Sequence, residues 1–83
     1  MLPKIENLNR SSLAELRAGT QARVVSVDGQ STLVRRMMEM GVVPGAPIRV
    51  IKSAPLGDPL EISVRCYRLA LRRVEAQAIT VAF

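Results

Sequence analysis

Ala54-Pro55-Leu56-Gly57-Asp58-Pro59-Leu60 joins two strand-like segments, 46–53 and 60–65. A run of Pro, Gly and Asp ordinarily marks a loose connection, but here two prolines bracket the loop rigidly while Gly57 allows a bend. Downstream, Leu60, Ile62 and Val64 alternate with Glu61, Ser63 and Arg65, the period of a strand with one dry face. Upstream, Ile48 and Val50 alternate with Arg49 and Lys52.

Working outward, Tyr67, Leu69 and Leu71 alternate with Arg68, Ala70 and Arg72, a helical turn is expected at 73–77, and Ile79, Val81 and Phe83 make a last strand. On the other side, Val43-Pro44-Gly45 suits a type II turn, with proline second and glycine third. Ser31 to Met40 reads as the one substantial helix: Leu33, Met37 and Met40 recur at i, i+4 and i+7, and Val34 widens the stripe. Arg35, Arg36 and Glu39 take the opposite side, and Gly41 is the expected stop. Thr20 to Val27 reads as a strand ending in the Asp28-Gly29 bend. Ser12-Leu13-Ala14-Glu15 fits a capping box opening a short turn that Gly19 ends, and residues 1–10 form a flexible or edge-lying lead to a single domain over 11–83. Five short strands and one inserted helix (31–40) make a mainly β chain. In a chain this small, a strongly bent barrel hides both edges and gives each strand one dry face.

The 83 residues leave room for one core. Only Tyr67 and Phe83 are aromatic, so that core is aliphatic. Twelve Lys and Arg against seven Asp and Glu give a net charge of +5. The basic residues are spread along the chain, a surplus that suits an acidic partner, anionic lipid headgroups or nucleic acid. Arginine outnumbers lysine ten to two, which favours planar contacts to carboxylates over diffuse charge. The single cysteine excludes an intrachain disulfide. Nothing at the N-terminus reads as a signal peptide, and no apolar run approaches the ~20 residues of a membrane span. A cytoplasmic, soluble domain is expected.

No catalytic constellation is visible. Histidine is absent, which removes the commonest general base and metal ligand. Cys66 lies between Arg65 and Arg68, which could lower its pKa, but no neighbour resembles a base. None of the five glycines belongs to a phosphate loop. One cysteine and seven scattered carboxylates do not supply the three or more converging ligands of a tight metal site. No catalytic residue, no metal ligand and no cofactor is therefore expected. Met37 and Met40 read as core, whereas Met38 falls at the margin of the buried stripe.

With these segments placed, the chain resembles the FeoA family, ferrous iron transport protein A. The residues that carry the resemblance are Leu13-Ala14-Glu15-Leu16-Arg17-Ala18-Gly19, Arg35-Arg36-Met37-Met38-Glu39-Met40-Gly41, Pro44-Gly45, Ala54 to Leu60, and Leu69-Ala70-Leu71-Arg72-Arg73, in the family's order. The resemblance implies an SH3-like barrel acting with FeoB, the membrane permease for Fe²⁺ that carries a cytoplasmic G-protein domain. It also implies kinship with the C-terminal module of iron-dependent repressors, of which this chain looks like the free-standing form. Many relatives carry Gly in the tight bend where this chain has Cys66, which implies a different turn here. The family's link to transition metals would rest on its pathway or on weak carboxylate sites between molecules.

The expected function is that of a non-enzymatic protein-interaction module for the ferrous iron permease. The alternatives are a basic nucleic-acid-binding barrel, opposed by the scarcity of stacking aromatics, and a direct Fe²⁺ chaperone or sensor, opposed by the ligand census. The expected partner-binding residues are Arg35, Arg36 and Met38 on the helix, with Leu56 and Asp58 on the rigid loop. An adaptable thioether and an apolar loop tip provide contact area, while the arginines orient a partner.

Overall fold

Alternation along the chain becomes one antiparallel sheet of six strands: β1 (Arg10–Ser12), β2 (Gln21–Val27), β3 (Pro47–Ser53), β4 (Leu60–Val64), β5 (Tyr67–Leu71) and β6 (Ile79–Ala82). Their order across the sheet is β1-β6-β2-β3-β4-β5. Two helices, α1 (Thr32–Glu39) and α2 (Arg73–Gln77), and a 3₁₀ turn at Leu13–Glu15 complete the fold. The structure, a computed structural model, describes residues 9–29, 32–55, 58–65 and 67–83, without the side chain of Leu33.

Register explains the core. Ile48 faces Val64, Val50 faces Ile62 and Leu60 faces Leu71 across adjacent strands, so a single sheet face collects the apolar positions. Val24, Met37, Ile79 and Val81 join them in the buried cluster, as the alternation requires, while Leu69 packs at its margin. Leu33, also expected in the core, has its side chain outside the described residues. Bulges between Val24 and Ser26 and between Val50 and Lys52 shift the register and increase the local twist that curls the sheet.

Four expectations change. First, β1 is a sixth strand: Arg10 pairs with Ala82 and Ser12 with Thr80, and Asn9 and Phe83 exchange backbone hydrogen bonds of 3.1 and 2.9 Å. Three residues are too few to show a period. Second, the small bent barrel is as expected but open: β1 and β5 end the hydrogen-bonded strand order, and their shortness limits the two edges left between them. Third, Ser12, which pairs with Thr80 in the ladder, has the extended backbone of an N-cap but makes no side-chain capping hydrogen bond. Burial of Leu13 and Leu16, not a cap, holds the single turn that follows.

The fourth concerns Met40, which is 38 % exposed rather than part of the core. Helix α1 ends in a Schellman pattern: the Val42 N–H donates to the Met37 carbonyl at 3.0 Å and the Gly41 N–H to the Met38 carbonyl at 3.1 Å, with Gly41 at φ 108°. That closure swings buried Val42 onto Met37 and leaves Met40 on the outer side of the last turn. The type II turn follows as expected. The Ala46 N–H donates to the Val43 carbonyl at 3.0 Å, and Gly45 takes φ 90°.

Candidate functional site

Helix α1 leaves Arg35 and Arg36 exposed and Met38 43 % exposed, because Val34 and Met37 on the same helix take the core side. Exposed Met40 extends this apolar margin. Asp58 lies elsewhere. Helix α1 enters β3 at its Pro47 end, whereas the loop leaves β3 at Ser53, six residues later and therefore about 20 Å away along the strand. Asp58 is exposed, but its carboxylate accepts a 3.2 Å hydrogen bond from the Arg73 N–H at the start of α2. Its side chain is thus tied to a helix N-terminus that needs acceptors. Leu56 lies outside the described residues. Of the described partner candidates, Arg35, Arg36 and Met38 therefore lie towards one end of β3 and Asp58 towards the other.

At the Pro47 end of β3, on the outer face of β2, β3 and β4, lies an open groove of about 560 Å³ lined in part by Gln21, Arg23, Arg49, Ser63, Arg65 and Phe83. Pairing creates it. Gln21 faces Arg49, Arg49 faces Ser63 and Ser63 faces Arg68, so one row of outward positions crosses four strands. Arg23 sits one diagonal away, opposite Pro47. Its Nη1 donates to the Gly45 carbonyl at 2.9 Å, which fixes the guanidinium beside the type II turn.

Arg65 takes φ 55° in the turn between β4 and β5. Among the described residues of that bend Arg65 is the left-handed one, and Cys66 lies outside them. The Arg65 stem lies over Gly41, where an added Cβ would come within 2.9 Å of its Cδ. The stop of α1 and one rim of the groove are in direct contact.

The groove is unbalanced in charge. Among the described residues the ion pairs are Lys52–Glu61 at 3.7 Å and Arg73–Glu15 at 3.4 Å, and neither involves Arg23, Arg49, Arg65 or Arg68. Guanidinium forks held this way suit carboxylates or phosphates. The sequence placed these arginines at outward positions without joining them, since Arg23 and Arg65 meet only through register. Their recurrence opposite the core positions of successive strands was the available signal. Among the described residues, no three His, Cys, Asp or Glu side chains come together as a metal site.

Comparison with known proteins places the chain. The FeoA domain model matches residues 11–82. A fusion protein of Porphyromonas gingivalis, described as Fe(2+) transport protein A joined to Fe(2+) transporter FeoB, is 42 % identical over 69 residues. Those residues make up 83 % of this chain, and the match spans 8 % of the fusion protein. The solution structure of FeoA from Chlorobium tepidum is similar with a TM-score of 0.81 and 44 % identity, covering 87 % of this chain and 69 % of that one. A crystal structure of Stenotrophomonas maltophilia FeoA complexed with zinc, described as an SH3 domain protein, has a TM-score of 0.74 and 37 % identity over 83 % of this chain and 86 % of that one. A manganese-dependent transcriptional repressor shares the fold alone, with a TM-score of 0.78 at 19 % identity over 88 % of this chain and 41 % of its own.

Proposed function

The chain belongs to the FeoA family, which is associated with Fe²⁺ transport, and on that premise we propose that it is a non-enzymatic accessory protein acting on the FeoB permease from the cytoplasmic side. The observation that carries the proposal is the fusion: a segment 42 % identical to this chain shares one polypeptide with an Fe²⁺ transporter. Covalent linkage supplies an effective concentration on the order of millimolar. Where the two are separate polypeptides, a contact surface must replace that proximity. The lack of histidine and of a phosphate loop supports a binding role over a chemical one.

The contact residues we assign are Arg35, Arg36 and Met38 on α1, with Leu56 and Asp58 from the segment joining β3 to β4. Arg35→Glu with Arg36→Glu, and separately Leu56→Asp, should lower FeoB-dependent Fe²⁺ uptake while the melting temperature stays near that of the parent. Normal uptake in both variants would remove this surface from the proposal. Stoichiometric Fe²⁺ retained through a chelator wash would favour a metal chaperone instead.

A further inference from the structure

We propose that the arginine-lined groove across β2, β3 and β4 is a docking site for an acidic, extended segment of a protein partner, with carboxylates at alternate positions. The proposal rests on the accessory-protein reading only for who that partner is. Three properties of the groove carry it.

The first is charge. Arg23, Arg49 and Arg65 line one depression, Arg68 extends the same row, and no described carboxylate pairs with any of them. Like charges on neighbouring strands repel, and an incoming carboxylate relieves that repulsion as it binds. The second is spacing. Arg23 and Arg49 are diagonal neighbours on adjacent strands, about 7–8 Å apart at the backbone. Two residues of an extended chain rise about 6.6–6.8 Å and return a side chain to the same face. Carboxylates at i and i+2 therefore meet successive guanidiniums.

The third is shape and composition. A depression of about 560 Å³ receives a chain more readily than the plane of a bilayer surface. Single-stranded nucleic acid needs aromatic platforms for successive bases, and Phe83 is the only aromatic side chain lining this site. Arginine forks with Gln21 and Ser63 between them instead offer bidentate carboxylate contacts flanked by neutral hydrogen-bonding groups.

The test uses the whole chain and three probes: a fluorescein-labelled peptide of alternating Glu and Ser, the same peptide with Gln for Glu, and a labelled oligothymidylate. Fluorescence anisotropy is read at low salt, about 50 mM, where surface charges are little screened. The acidic peptide should bind, and the Gln peptide should bind at least about tenfold more weakly. Arg23→Gln with Arg49→Gln should weaken the acidic peptide at least about tenfold, whereas the charge-matched Arg72→Gln with Arg73→Gln should change it by no more than about twofold. Melting temperatures establish that both variants fold.

Equal losses in the two variants would reduce the effect to net charge and overturn the proposal. So would absence of peptide binding, or tighter binding of the oligothymidylate. Tighter association with phosphatidylglycerol vesicles, lost in the groove variant, would reassign the groove to lipid. These readouts do not involve the permease. Normal FeoB-dependent Fe²⁺ uptake after deletion of this protein would overturn the accessory role and leave the groove's preference standing.

Discussion

At Gly41 two requirements meet in one residue. The backbone there takes φ 108° to end α1, and the missing Cβ makes room for the Arg65 stem. Gly41→Ala should cost about 1–2 kcal/mol, the usual expense of an L-residue in left-handed backbone. The added methyl would also lie 2.9 Å from Arg65 Cδ, a contact that a flexible side chain relieves by moving. Arg65→Ala on top of Gly41→Ala should therefore recover little. Urea denaturation of the single and double variants measures both parts. A loss under about 0.5 kcal/mol, the usual range for a surface change, would mean that the helix stop does not need glycine.

At the scale of elements, β4 is the strand to probe, because it is paired on both sides, with β3 and with β5. Ile62 is fully buried at its centre, so Ile62→Ala should destabilise by roughly 2–5 kcal/mol. Val74 on α2, by contrast, is 65 % exposed, and Val74→Ala should be neutral or slightly stabilising, since alanine is the better helix former. Thermal unfolding of the pair checks the register of β4 and the outward face of α2 together. The N-terminus of α2 depends on two carboxylates. Glu75 accepts a 2.7 Å hydrogen bond from the Arg72 N–H, and Asp58 accepts one from the Arg73 N–H. Asp58→Ala should cost about 1 kcal/mol by leaving one helix amide without its acceptor. A loss of uptake in that variant must be weighed against its own melting temperature.

For the molecule as a whole, the prediction is the absence of GTP turnover. The apolar side chains of every strand except β1 feed one aliphatic cluster, and the 560 Å³ groove is an open depression lined by arginines rather than an enclosed cleft. Highly purified protein should hydrolyse no GTP above buffer. Steady turnover abolished by changing one of its own polar residues would contradict this. The groove is also the part of the candidate surface least legible from sequence. Helix α1 could be read locally, and its exposed arginines and Met38 stand where its period put them.

What local sequence determined here is the set of elements and their dry faces. Alternation in β2, β3, β4 and β6 marked the buried positions, and Gly41 and Pro44-Gly45 marked a stop and a turn, because side-chain period and allowed φ are properties of neighbouring residues. Tertiary structure decided the rest. The three residues of β1 become a strand only because β6 lies beside them. Met40 is turned outward by the closure onto Val42. Arg23, Arg49 and Arg65 share one groove through cross-strand register, and pairing between distant segments is set by how the whole sheet buries its apolar face.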